Sequence, residues 1–469
     1  MKVLFTHSYF LQRDSKQWRA QMPYPPLGTL YAAAAARDRG FEVAFFDVQF
    51  ASTPEIIQTE LEGFQPDVFV ICDDSFNYLS KMCLTNMREA AFVMQQLAKK
   101  AGCKVVVASS DATDHAKAYL ENGADAVVIG EAEETIVEWL QNHGKNSLST
   151  AGLCYIDQNE VIKTPPRKVK KELDEWPLPA WDLLDFTPYR EMWMSAHGYA
   201  SINLVTTRGC PYKCNWCAKP VYGNRYNSHS VARTLEMIET VQQRFGVQHI
   251  WFADDIFGLK PGWVVEFANQ IKEKGVRIRY KIQSRADLLS DQATIQALAH
   301  SGCDEVWMGA ESGSQKILDA MDKGVTVEEI YTACKTLTEA GVKPCLFLQF
   351  GYPGEKKTDI RLTFEMVRNI LPHDIGVSVS YPLPGTLFYD RVKADLTMKQ
   401  NWKESDDLEI MFSGEYPVSF YKKLQRLMHY QFRCIQGWHF LKHFKIKRQV
   451  ILLPYYWLQK LRLQKIMDE

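Results

Sequence analysis

Residues 206–220 read TTRGCPYKCNWCAKP and place Cys210, Cys214 and Cys217 three and two residues apart. With 11 Cys in 469 residues, a C-x3-C-x2-C run is expected by chance on the order of 0.01 times per chain, so this loop is built to bind something. Gly209 and Pro211 flank the first cysteine and oppose helix, and the apolar run Ile202 to Val205 stands directly before them. The order is strand, then ligand loop. Three thiolates on one loop suit a zinc ion or an iron-sulfur cluster. Zinc asks for a fourth ligand, for which His229 is the nearby candidate. A 4Fe-4S cluster held by three Cys leaves one iron open to a substrate or cofactor. Ordinary buried thiols are the third reading.

Downstream of this loop the chain alternates strands and helices with a long period, from Ser201 to about Tyr381. Strand candidates are Ile202 to Val205, His249 to Ala253, Arg279 to Gln283, Glu305 to Gly309, Cys345 to Phe350 and Val377 to Tyr381. Six βα units with right-handed crossovers close most of a barrel, a partial (β/α)6 barrel, with functional groups at the strands' carboxyl ends. That rule selects Asp254 and Asp255, then Ser284, Arg285 and Asp287, then Glu311 and Ser312, then Gly351 and Gly354. Polar groups in such places are costly to bury without partners, and a zwitterionic cofactor with a ribose would supply partners. Helix capping is the alternative for Asp255 and Asp287. Arg285 suits a carboxylate.

Upstream, the first 145 residues show a shorter alternation. Apolar runs at Val3 to Phe5, Val43 to Asp47, Val68 to Cys72, Val105 to Ala108 and Ala126 to Ile129 are separated by helical patterns, notably Leu27 to Arg39 and Asn86 to Lys100. Gly40, Pro66, Gly102 and Gly123 stop helices ahead of four of these strands. The pattern predicts an α/β, doubly wound parallel sheet that binds ligands beyond the carboxyl ends of its strands. No G-x-G-x-x-G follows the first strand, which disfavours a dinucleotide. The proline-rich residues 146–195 read as a connector, 196–395 as the barrel, and 396–469 as a separate helical C-terminal tail.

The aromatic Trp216 completes C-x3-C-x-aromatic-C, which resembles the signature of the radical S-adenosylmethionine enzymes. The resemblance implies a 4Fe-4S cluster on Cys210, Cys214 and Cys217, with S-adenosylmethionine chelated at the open iron and split reductively to a 5'-deoxyadenosyl radical. It also implies that Trp216, with Tyr212 and Lys219, lines the cofactor pocket. Asp254 and Asp255 stand where the family often has Gly-Gly-Glu, and Glu311, Gly351 and Gly354 match its ribose and adenine contacts.

Pro25-Pro26-Leu27-Gly28, Ser109-Ser110-Asp111 and Gly130-Glu131-Ala132-Glu133, in this order ahead of the cysteine loop, resemble the cobalamin-binding domain of the cobalamin-dependent branch. Pro26, Leu27, Gly28, Ser109, Ser110, Gly130 and Glu131 are the implied cobalamin contacts. Ala108-Ser109-Ser110 stands where that branch usually has a Gly-Gly pair, and its side chains narrow the groove. No Asp-x-His-x-x-Gly is present, so no protein histidine is expected on cobalt. A domain of this fold that only mediates contacts is the bland alternative.

The activity implied is a radical methyltransferase acting on an unactivated carbon of a hydrophobic small molecule. A radical oxidative cyclase or rearrangement enzyme without methyl transfer is the second reading, and a non-catalytic cluster or cobalamin sensor the third. The expected partners are the small-molecule substrate and an electron donor such as flavodoxin or ferredoxin.

Charge adds a last element. The chain totals -1, yet Tyr416 to Met467 holds 11 Lys or Arg, 11 aromatic residues and no Asp or Glu. Basic and aromatic residues interleaved on helices suit peripheral contact with an anionic membrane surface, or a lid over an apolar substrate. A helical subdomain with a solvated basic face is the alternative. Nucleic acid is disfavoured because the rest of the chain is acidic. Scattered Cys, no secretory leader and no long apolar run make the reducing cytoplasm the expected compartment, with the inner membrane face as the place of contact.

Overall fold

The computed structural model describes residues 1–217, 221–445 and 447–467, so Ala218, Lys219 and Pro220 of the cysteine stretch lie outside the described residues. The chain packs as two units. The first comprises Met1–Pro211, Lys219–Asp255 and Asn401–Asp407, and the second Tyr212–Ala218, Ile256–Gln400 and Leu408–Glu469.

In the first unit, β1 (Lys2–Thr6), β2 (Glu42–Phe45), β3 (Val68–Cys72), β4 (Lys104–Ala108) and β5 (Ala126–Val128) run parallel in the order 2-1-3-4-5. They coincide with the five apolar runs. β1, β3 and β4 are buried almost end to end, as strands covered on both faces must be. Leu4, Phe69, Ile71, Val105 and Val107 pack with Met94, Ala98 and Tyr119 into one core cluster. β6 (Leu153–Asp157) and β7 (Glu160–Lys163), an alternating pair in the sequence, extend this sheet antiparallel. Glu160, Val161 and Lys163 are exposed, as expected of an edge strand.

The strand order reverses between β1 and β3, which places a ligand crevice beyond the carboxyl ends. The helix Leu27–Asp38 leads away from that end, and every residue from Leu27 to Ala36 is buried. Its five consecutive alanines make it slim enough to be covered all round. Gly28 lets it press against the turn after β3, where a Cβ would stand 3.1 Å from Asp74 Oδ1 and from the Ser75 nitrogen.

The same unit holds β8 (Ser201–Leu204), the short antiparallel pair β9 (Thr207–Arg208) and β10 (Asn227–Ser228), and β11 (His249–Phe252), which runs parallel to β8. The second unit holds β12 (Arg279–Ser284), β13 (Cys303–Glu311), β14 (Lys343–Phe350) and β15 (Asp374–Val379), parallel neighbours in that order. Thus β8 and β11 to β15 supply all six expected barrel strands. β13 outruns its predicted end: its register shifts between Gly309 and Glu311, and Glu311 takes a left-handed φ of 56°.

The C-terminal helices Val418–Lys442, Arg448–Ile451 and Leu453–Gln464 belong to the second unit. Gly437 permits their close approach, since a Cβ there would lie 2.8 Å from the Gln449 carbonyl oxygen. Among the described residues no helix is long and apolar enough to cross a membrane.

Candidate active site

Cys210, Cys214 and Cys217 lie on the loop between β9 and β10, and all three are partly exposed, whereas the other eight cysteines are buried. Three groups in the first unit fix the ends of this loop. Asp254, just past β11, accepts hydrogen bonds from the Thr206 amide, the Thr206 hydroxyl and the Thr207 amide, each at 2.7 Å. Burial outweighs these bonds and pushes its carboxyl up to about 6. Both oxygens are engaged with the chain, so Asp254 positions the turn into the loop instead of offering itself to a cofactor. Asp255 pairs with Lys81 at 2.7 Å.

Arg208, two residues before Cys210, is fully buried and meets Glu131 at 2.5 Å and Glu133 at 2.7 Å. The rings of Tyr31, Phe76, Trp176 and Tyr222 surround its guanidinium at 5.2 to 5.7 Å. Glu131 also accepts from the Lys170 amide at 2.7 Å. Expected at cobalamin, Glu131 is therefore an ion-pair partner that ties the turn after β5 to the entry of the cysteine loop. At the exit, His229 is buried with Nδ1 2.9 Å from Asp174, whose carboxyl this bond holds down at about 2.

The later part of the loop, Tyr212 to Cys217, is fixed within the second unit. Asn215, between two cysteines, donates to the Ala320 carbonyl at 2.8 Å and to Asp322 at 2.7 Å, and accepts from the Tyr352 hydroxyl at 2.8 Å. Arg285 lies 3.7 Å from the Tyr212 ring centroid, with one terminal nitrogen 3.9 Å from Cys214 Sγ. Lys323 is buried, 2.8 Å from Glu311 and 5.9 Å from the Trp216 ring centroid. Ser284 is buried at the end of β12.

The turn after β14 supplies Gly351 and Gly354. Gly351 has φ 81°, and a Cβ there would reach within 2.5 Å of Ile410 and 3.0 Å of Tyr421, so a side chain would not fit. Its amide donates to Glu355 at 2.6 Å. Burial pushes the Glu355 carboxyl up to about 8, and its other oxygen is buried without a partner. The Gly354 carbonyl accepts from Lys316 at 2.9 Å.

A narrow crevice in the first unit is lined by Gly28, Asp73, Ser75, Ser109, Gly130 and Glu133, among others. It gathers residues from the start of the helix Leu27–Asp38 and from the turns after β3, β4 and β5. Ser109 caps the helix Ser110–Asp114, its hydroxyl accepting from the Ala112 amide at 2.8 Å, so the group that replaces glycine is turned into the chain. Ser110 is buried, and Pro26 and Leu27 begin the helix whose Gly28 faces the crevice. Gly130, with a left-handed φ of 90°, lines the crevice beside the small Ser109 side chain, so its backbone offers close approach to a nucleotide tail. Three partly exposed thiols on one loop fit a cluster. Among the described residues no three His, Cys, Asp or Glu side chains converge on a point fit for one metal ion. A cluster bound through a different iron by each cysteine does not require them to.

Residues 204–367 match the radical SAM superfamily, and residues 19–140 match the B12 binding domain. An uncharacterized methyltransferase of Pyrococcus horikoshii is 27% identical over 393 residues, 81% of each chain. The hopanoid C-3 methylase of Methylococcus capsulatus is 25% identical over 430 residues, 88% of this chain and 77% of that one. The solved structure of OxsB, a cobalamin-dependent S-adenosylmethionine radical enzyme with aqua-cobalamin and S-adenosylmethionine bound, superposes with a TM-score of 0.74 at 16% identity. It covers all of this chain and 72% of OxsB. The chain thus carries a B12 binding domain followed by a radical SAM domain, and its cysteine loop lies within the radical SAM match, which displaces the zinc reading.

Sequence reasoning missed Arg208, Asn215, Lys323 and Glu355. Arg208, Asn215 and Glu355 stand in or beside motifs it had singled out, but the partners of Arg208 and Asn215 come from distant segments, and Lys323 stands beside no motif. Two outcomes follow from their burial. Arg208→Leu leaves Glu131 and Glu133 buried without their cation and is expected to destabilise the first unit by about 3–5 kcal/mol in denaturant unfolding. An unchanged midpoint would remove the ion pair from the account. Glu355, with its folded pKa raised, binds its proton more tightly folded than unfolded, so it subtracts stability as pH rises from about 4.5 to about 8. Glu355→Gln is expected to flatten the decline in stability over that window; an identical slope in both proteins would contradict it.

Proposed function

We propose that this enzyme methylates an unactivated carbon of a hydrophobic small molecule, receiving electrons from a flavodoxin or ferredoxin. The observation that carries the reading is that one chain joins a B12-type crevice at the ends of β3 to β5 with a radical S-adenosylmethionine cysteine loop. When bound, the cluster and S-adenosylmethionine supply radical chemistry, and cobalamin supplies a methyl carrier. Cys210, Cys214 and Cys217 hold the cluster. The S-adenosylmethionine contacts are Trp216, Ser284, Glu311, Gly351 and Gly354 in the second unit and Asp255 in the first, where Asp254 supports the loop. Pro26, Leu27, Gly28, Ser109, Ser110 and Gly130 form the cobalamin cradle, supported by Glu131. Asp254 and Arg208 fix the loop's entry and Asn215 its later residues, and ordering the cysteine loop in this way is where such residues contribute to rate.

The C-terminal region belongs to the same reading. Trp438, Leu441, Phe444, Ile451, Tyr455, Trp457, Leu458 and Leu461 are exposed, Phe444 by 96%, in a region without acidic residues. On the helix Leu453–Gln464, Trp457, Leu458 and Leu461 fall on one solvent-facing side next to Arg462 and Lys465. A face both apolar and cationic suits an anionic lipid surface, from which an apolar substrate can be drawn.

Two measurements test these statements. With S-adenosylmethionine labelled in its methyl group, the reduced and anaerobically reconstituted protein is expected to move label into product, and Cys214→Ala to lose reductive cleavage. A product formed without label would turn the assignment to the cyclase or rearrangement reading. Cleavage at full rate by a cluster-free Cys214→Ala protein would overturn the radical assignment itself. The full chain is also expected to sediment with vesicles rich in phosphatidylglycerol and to be released by salt. Trp457→Ser with Leu461→Ser is expected to weaken that binding by about tenfold or more. Equal binding to neutral vesicles, or none to either kind, would exclude an anionic surface as the partner.

A further inference from the structure

Arg285 stands where a fork for a cofactor carboxylate is expected, but its donors are largely engaged within the second unit. Nε lies 2.9 Å from Asp287 Oδ1. One terminal nitrogen donates to the carbonyls of Lys323 at 2.9 Å and Gly324 at 3.2 Å, and lies 3.3 Å from Asp287 Oδ2. The other terminal nitrogen is directed at Cys214 Sγ, 3.9 Å away. A guanidinium is planar with its N–H directions in a fixed fork, so two anchored nitrogens determine where the third points. The Tyr212 ring, with its centroid 3.7 Å from the guanidinium carbon, confines the plane further. The residue is 4% exposed, so solvent screens little of this interaction.

We propose that Arg285 is a positioning residue that sets the reduction potential of the cluster through Cys214. The inference rests on the reading of Cys214 as a cluster ligand. One-electron reduction adds negative charge to the cluster and its sulfurs. An N–H donor with a positive charge aimed at a ligand sulfur favours the reduced form, and hydrogen bonds to the sulfurs are a main determinant of such potentials. Lys323 approaches the same loop, but its ammonium is directed to Glu311 and the Trp216 ring instead of a sulfur. Arg285 thus makes the cluster easier to reduce by the external donor, while Asp287 keeps it aimed.

The test uses the full chain, reconstituted anaerobically, with iron and sulfide content measured first. The midpoint is then read by dithionite titration, following the electron paramagnetic resonance signal of the reduced cluster. Arg285→Gln is expected to shift the midpoint to more negative potential, and Arg285→Lys, which keeps charge but not the fork, to shift it less. Asp287→Asn, which keeps the guanidinium but releases its aim, is expected to shift it the same way. Affinity for S-adenosylmethionine, measured by equilibrium binding, is expected to change little in all three. An unchanged midpoint with affinity lowered about tenfold or more would make Arg285 a cofactor fork and overturn the proposal. If Arg285→Gln takes up no cluster, Asp287→Asn decides: a negative shift supports the proposal and a wild-type midpoint overturns it. A wild-type chain that takes up no cluster would instead sink the reading of Cys214 on which the inference stands.

Discussion

A fully buried guanidinium must be matched by negative charge, and at Arg208 two carboxylates, Glu131 and Glu133, supply it. The pairing has consequences beyond its own energy. Glu131 and Glu133 leave the crevice-lining turn after β5, while Arg208 leads into the cysteine loop. The turn after β5 and the entry to the cysteine loop are therefore mechanically one. The four aromatic rings around the guanidinium exclude water and keep the attraction strong, and they also make the loss of either charge sign costly.

The cysteine loop is unusual only in how little of it is left to its own conformational preferences. Asp254 holds its entry and Asp174 its exit through His229, both in the first unit. Asn215 and Arg285 secure its later residues in the second. Loops that bind cofactors lose conformational entropy when they do so, and a loop already ordered by the chain loses less. That explains why strong polar side chains at strand ends are turned toward backbone. Asp254 lies two residues past β11, and Arg285 one residue past β12, but each acts on the loop.

Much of this was legible in one dimension. Five apolar runs punctuated by Gly40, Pro66, Gly102 and Gly123 became the five parallel strands, and the pattern is clearest in β1, β3 and β4, which are buried almost end to end and carry few polar residues to blur it. The loop of Cys210, Cys214 and Cys217 was legible because it repeats one residue type at a fixed, improbable spacing. Less legible were the roles of Glu131, Asp254 and Arg285. Their positions at strand ends were correct, but a carboxylate or guanidinium at a strand end can face a ligand or the chain, and spacing carries no information on which. The antiparallel addition of β6 and β7 was hidden for a similar reason. Alternation identifies a half-exposed pair of strands without naming the sheet edge that receives it.

The sequence by itself determined the strand content of both βα runs, the spacing of the three cysteines on one loop and the charge asymmetry of the C-terminal region. These depend on periodicity, spacing and composition, which are local properties. Only the tertiary structure decided that Arg208 answers Glu131 and Glu133, that Asp254 clamps Thr206 and Thr207, that Asn215 is held by Tyr352 and Asp322, and that Arg285 is aimed at Cys214. Most of these partners stand between 47 and 137 residues apart in the chain. The physical reason is that a buried polar group takes whichever partner folding brings within about 3 Å, and that choice is made by packing, not by neighbours in sequence.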